Sequence, residues 1–111
     1  MQNKITVSRS DFELQEMPDA CPDASYLEQD GWEDRRKEYE GGNFYFIGIR
    51  ASVEIQIPSK QGGYWTTQRI TSPGLWGIES DSGRAYFAEV FAEESALLVE
   101  MLEALNIETT N

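Results

Sequence analysis

The amino-acid sequence predicts an α+β fold: an antiparallel three- to four-stranded meander sheet, one long C-terminal helix packed on one face, and a short helix before the longest strand. Three observations carry this expectation. Tyr45, Ile47, Ile49, Ala51, Val53, Ile55 and Ile57 occupy every second position, the period of a strand with one buried face. Two shorter stretches rich in aromatic and β-branched residues follow, divided by proline and glycine. The spacing then becomes helical, with Phe87, Val90, Phe91, Leu97, Leu98, Met101, Leu102 and Leu105 forming a broad apolar stripe. A chain of 111 residues, 40% hydrophobic, has material for a single domain (1–111) around one core.

At the amino end, Lys4–Ser8 alternates, and Phe12 and Leu14 continue the period after Ser10-Asp11, which reads as a first strand or a broken pair. Met17–Pro22 contains two prolines and predicts an irregular connection, after which Asp23 caps a short helical turn over Ser25–Glu28. Asp30 and Glu33 resemble a capping box. Trp32, Arg36 and Tyr39 then share one face of a short helix that Gly41-Gly42 stops. The long strand Tyr45–Ile57 needs a bend or bulge near Gly48 to fit a small sheet, and its odd-numbered face is core. Pro58 ends it, Ser59–Gly63 turns, and Tyr64–Ser72 returns as the antiparallel neighbour. Ser72-Pro73-Gly74-Leu75 matches a type II turn leading into a strand at Leu75–Glu79. Ser80-Asp81-Ser82 offers caps for a helix of about six turns ending at Leu105, with Asn106 left-handed and Ile107 folding back.

Charge narrows the function. The net charge is -11, the pI is near 4.3, and Ala85–Asn111 holds six glutamates without a lysine, arginine or histidine. Such a surface favours cationic protein partners over nucleic acid or an anionic membrane. The chain has no histidine, which removes the commonest general base, the commonest metal ligand and every Ser-His or Cys-His arrangement. The lone Cys21, flanked by Asp19 and Asp23, reads as an unreactive thiol. With no apolar run long enough for a signal peptide or a membrane span, the expected compartment is the cytoplasm.

Four constellations remain. Arg35-Arg36-Lys37 is enclosed by Glu33, Asp34, Glu38 and Glu40, so it reads as a self-paired helix face, not a nucleic-acid patch. Glu79 and Asp81 lie two apart at a strand end, a spacing that could suit one hard cation but is explained without metal, Asp81 by capping the following helix and Glu79 by its dipole. Phe44 and Phe46, opposite the isoleucines, lie either in a second small core or on a partner surface. Glu89, Glu93, Glu100 and Glu103 align as one stripe about 21 Å long at 1.5 Å rise per residue. Like charges at these spacings cost roughly 0.2–0.5 kcal/mol per pair, and carboxylates near the carboxyl end oppose the helix dipole. Fold stability alone does not account for them.

The run Ile70-Thr71-Ser72-Pro73-Gly74-Leu75-Trp76-Gly77-Ile78-Glu79-Ser80-Asp81-Ser82, between an alternating strand and an acidic helix, resembles a small family of acidic proteins encoded by phages, prophages and plasmids. The resemblance spans roughly Asp30 to Ile107 and transfers no activity, cofactor or catalytic residue. It implies a mobile-element setting, in which small acidic proteins disable host defence or nucleic-acid enzymes.

The expectation is therefore a non-enzymatic binding protein without cofactor or metal. Glu89, Glu93, Glu100 and Glu103, with Phe44 and Phe46, would meet a basic groove on a bacterial nucleic-acid-handling or defence protein as a partial DNA mimic, in the manner of an anti-restriction or anti-CRISPR inhibitor. Two alternatives stand beside it: a self-associating interaction module, a homodimer through its aromatic face, whose acidity serves only solubility; and a small metal-dependent enzyme using Glu79 and Asp81.

Overall fold

The computed structural model describes residues 4–59 and 62–111. In chain order they form β1 (Thr6–Ser8), a 3-10 turn (Arg9–Asp11), β2 (Glu13–Pro18), a second 3-10 turn (Ser25–Glu28), α1 (Glu33–Glu40), β3 (Phe46–Pro58), β4 (Trp65–Thr71), β5 (Leu75–Glu79), α2 (Arg84–Ala104) and β6 (Glu108–Thr110). The predicted α+β class holds, with a four-stranded antiparallel sheet, a short helix ahead of the long strand and a long helix after the sheet. Asp23 accepts from the Ser25 N–H (3.0 Å), but Ala24, not Asp23, takes the N-cap position of the second 3-10 turn, without a side-chain cap. The capping box is displaced. Trp32 takes the N-cap position of α1, and Glu33 reaches back to the Gly31 N–H (3.1 Å) instead of to Asp30.

β3 is the axis of the sheet. β2 lies along one edge, with Glu13 opposite Ser52 and Pro18 opposite Ile47. β4 and β5 share the other edge, with Thr71 opposite Ser52 and Glu79 opposite Phe46. Both run antiparallel to β3, so Ser72–Gly74 does not reverse the chain as a hairpin would; it interrupts one long return strand. The local turn chemistry is as expected, with Gly74 at φ +91°. The turn jogs the strand because the ladder continues through it: Ser72 donates its N–H to the Ala51 carbonyl (2.8 Å), and its hydroxyl accepts the Ala51 N–H (2.9 Å).

The expected irregularity near Gly48 is present, with the extra residue on the opposite strand. Between the pairs Ile49/Leu75 and Ile47/Ile78, β5 sets Trp76 and Gly77 against the single Gly48. Gly48 allows this because the Trp76 indole lies flat on it; a Cβ there would stand 2.2 Å from a ring carbon. The turn expected over Ser59–Gly63 includes Lys60 and Gln61, which lie outside the described residues. On either side of them, Ser59 donates to the Tyr64 carbonyl (3.1 Å).

α2 ends as predicted. Asn106 is left-handed at φ +61°, the Asn106 N–H bonds Glu103 O (2.9 Å), the Ile107 N–H bonds Leu102 O (2.8 Å), and Ile107 is buried. That fold-back delivers β6 to β1, and the two pair in parallel, Thr6 opposite Glu108 and Ser8 opposite Thr110. No sequence signal pointed to this pairing.

The single core of the sequence reading is replaced by three clusters. Val7, Phe12, Ala51, Val53 and Ile55 pack under Leu98, Leu102 and Ile107; Ile47, Ile49 and Ile78 pack under Val90; on the other sheet face Phe44 and Phe46 pack with Leu27. A long central strand spreads the apolar residues along its length. The molecule measures 63 × 24 × 20 Å and exposes 7625 Å², against about 6,200 Å² for a compact protein of this mass.

Gly48→Ala drives its methyl into the Trp76 ring, so the variant is expected to unfold about 1–3 kcal/mol more easily in urea, with a changed tryptophan emission in the folded state. Parent-like stability and emission would contradict this packing.

Candidate functional site

One buried carboxylate sets the rotation of α2. Glu94 is only 5% exposed, and its Oε1 accepts from the Ser72 hydroxyl (2.7 Å) and the Gly74 N–H (2.6 Å). It sits four residues after Val90 and four before Leu98, and all three face the sheet with Leu102. Sequence reasoning counted Glu94 with the acidic tail. Its place in the middle of an apolar row was the signal that separates it from the other glutamates.

With that face turned inward, Glu89, Glu93, Glu100 and Glu103 project to solvent on the opposite side of the helix. None of them has an ion-pair partner among the described residues. The ion pairs lie elsewhere: Arg35 with Glu38, Glu79 and Asp81; Arg36 with Glu28; Arg69 with Glu13 and Glu54; Lys4 with Glu108. Beside the acidic row runs an apolar one. Leu97, Met101 and Leu105, expected in the core, are exposed at 40%, 36% and 56%. The sheet under this end of α2 is too narrow to cover the whole stripe, and Leu98, Leu102 and Ile107 already fill the available contact. The outer face of α2 thus carries four carboxylates, with Leu97 along their flank; Met101 and the C-cap Leu105 are uncovered on the side turned toward the sheet.

Phe44 and Phe46, expected to meet a partner, are 2% and 4% exposed. Their rings lie 5.7 Å apart, edge to face, with Tyr39 5.4 and 5.1 Å away and Leu27 beside them. The Arg35 guanidinium carbon sits 3.7 Å above the Phe44 ring. They form the second small core, and in this fold they present no surface to another molecule.

Glu79 and Asp81 neither cap α2 nor face each other across an open position. Gly83 takes the N-cap site without a side-chain cap, and the Arg35 guanidinium lies between the two carboxylates, 2.7 Å from Glu79 and 2.9 Å from Asp81. The basic triplet was read as a self-paired helix face; Arg35 does pair with Glu38 (3.0 Å), but its main partners come from β5 and the loop after it. The Tyr26 hydroxyl donates to the second Glu79 oxygen. Burial, then the Glu79 bond, pushes that phenol above its usual range, and the bond from Arg35 holds Asp81 below the ordinary aspartate value. The cluster clamps α1 to the sheet and to the start of α2.

Among the described residues no three acidic or cysteine side chains converge as a metal-binding group, and no helix is long and apolar enough to cross a membrane. Comparison of the chain with protein-family models, with curated proteins and with solved structures finds no match.

Glu94→Ala leaves the Ser72 hydroxyl and the Gly74 N–H without an acceptor, and chemical denaturation is expected to show a loss of about 2–3 kcal/mol. The Arg35 bridge has a defined pH signature. A carboxylate with a lowered folded-state pKa stabilises the fold above its ordinary value near 3.8, and that contribution is lost as pH falls through the lowered value. Asp81→Asn should therefore have a lower urea midpoint than the parent at neutral pH, and the two midpoints should converge as acidification takes the pH below the lowered Asp81 value. A gap that persists in acid would mean that Asp81 acts through something other than its charge.

Proposed function

We propose that the protein is a non-enzymatic binding protein that inserts the outer face of α2 into a basic groove of a bacterial nucleic-acid-handling or defence protein. The observation that carries this reading is the row Glu89, Glu93, Glu100 and Glu103, exposed and, among the described residues, without ion-pair partners, while arginines elsewhere pair with other acids. Crowding like charges along one helix face opposes helix formation, and a partner's cations would relieve that repulsion on binding. Leu97, exposed beside the row, supplies adjacent apolar contact, which a purely solvated acidic face would not need. A row about 21 Å long spans roughly six phosphate steps of one nucleic-acid strand, so a groove built for a phosphate backbone matches its reach. The resemblance to proteins of phages and plasmids suits an anti-defence role.

A second reading has its own support. β4 is an edge strand with no neighbour beyond it, and Tyr64 and Trp65 beside that edge are 60% and 64% exposed, so two copies could pair edge to edge as a homodimer. In this reading the acidity maintains solubility.

Affinity capture from a bacterial lysate, eluted along a salt gradient, separates the two. The parent should retain a basic protein that elutes with rising salt, and the variant with Glu89, Glu93, Glu100 and Glu103 replaced by glutamine should not. Retention of the same proteins by both, or elution indifferent to salt, would overturn the proposal. A concentration-dependent dimer in sedimentation, abolished by Trp65→Lys, would favour the second reading.

A further inference from the structure

The sheet has a second open edge, and it faces a cleft. Ala51 accepts from the Ser72 N–H and donates its own N–H to the Ser72 hydroxyl, so the backbone groups of odd-numbered β3 residues point toward β4 and β5. Asp19 donates to Phe46 O, so those of even-numbered residues point toward β2. β2 begins at Glu13, opposite Ser52. Beyond that point, among the described residues, no strand pairs with the N–H and C=O of Glu54 and Gln56. Extended without a break, the chain ahead of β2 would cover them, but the turn Arg9–Asp11 diverts β1 to pair with β6. On β1, Ile5 O accepts from the Glu108 N–H, so the Thr6 backbone points away from β6. Between these two free edges lies a cleft of about 430 Å³, walled by residues 4–8 on one side and 54–58 on the other, with Trp65 at its end.

We infer that this cleft is a slot for an extended peptide segment of a partner protein, taken up as an added strand between β1 and β3. The two walls supply backbone donors and acceptors on both sides of the inserted strand. The chemistry of the slot specifies an alternating segment. One row of its side chains would lie along the apolar lining that keeps exposed surface, Ile5 and Trp65, which calls for apolar residues. The other row would face Asp11, Glu13 and Glu54; among the described residues Arg69 pairs with two of them and Lys4 in the cleft wall is paired with Glu108, so the surface stays net negative and calls for basic residues. This site is separate from the outer face of α2, and its occupancy does not depend on the function proposed for that face.

The test uses the full chain and a synthetic capped peptide of about seven alternating lysine and valine residues, followed by backbone amide NMR. Saturable binding with shifts at Thr6, Glu54 and Gln56 is expected. The same peptide N-methylated at the valines should bind roughly tenfold or more weakly, because the methyl groups remove the strand bonds. An alternating glutamate–valine peptide should be weaker still. Thr6→Pro, which removes a donor pointing away from β6, should weaken the parent peptide with β1 and β6 still paired. Should that variant fail to fold, the N-methylated peptide decides. Equal binding of the methylated and unmethylated peptides, shifts confined to the acidic face of α2, or no binding would each overturn the inference. So would a homodimer whose formation shifts the same amides, since the slot would then hold a second copy of this chain.

Discussion

A single charged hydrogen-bond junction holds the two layers of this protein in register. Where the return strand breaks between β4 and β5, Ser72 completes the ladder to Ala51 with both its backbone and its hydroxyl, and Glu94 reaches from α2 to bind that hydroxyl and the Gly74 amide. The break would otherwise leave polar groups stranded at the centre of the molecule, where an unmet donor costs about 1–3 kcal/mol. Satisfying them from the helix fixes how far α2 is rotated and where it sits along the sheet. The outward direction of the remaining helix glutamates follows from that anchor and not from their own interactions.

The fold also shows how an acidic protein divides its charge. Among the described residues six ion pairs join different segments and a seventh, Arg35–Glu38, lies within α1; they are densest around Arg35, which bridges α1, β5 and the loop ahead of α2. Most are partly exposed, so their value lies more in positioning than in stability. The helix face is left at one sign. Negative charge therefore covers both sides of the molecule, but only on α2 is it drawn into one row without interleaved cations.

Much of the architecture was legible because it is encoded over short distances. Alternation from Tyr45 to Ile57 marked β3, Asn106-Ile107 marked the end of α2, and the need for an irregularity was readable from the length of β3. What escaped the sequence was long-range. Arg35 meets Glu79 across 44 positions, and β1 meets β6 across about a hundred, distances over which no periodicity or turn residue carries a signal. The Ser72–Leu75 turn was recognised by its chemistry, yet whether such a turn reverses a strand or only offsets it depends on the neighbouring strand. The exposure of Leu97, Met101 and Leu105 was hidden for a similar reason: hydrophobic spacing reports how wide a stripe is, not how much sheet there is to cover it. The acidic row was readable in full, whereas the burial of Phe44 and Phe46 was one of two placements the alternation allowed.

The parallel pairing of β1 with β6 has a consequence for biosynthesis. Val7 enters the largest apolar cluster only alongside Leu98, Leu102 and Ile107, so that cluster cannot close on a ribosome-bound chain until residues more than ninety positions later have emerged. Until then the isoleucine face of β3 has no cover from α2, and closure of so long a loop is entropically slow. The many negative charges, which repel one nascent chain from another, protect the molecule through that interval.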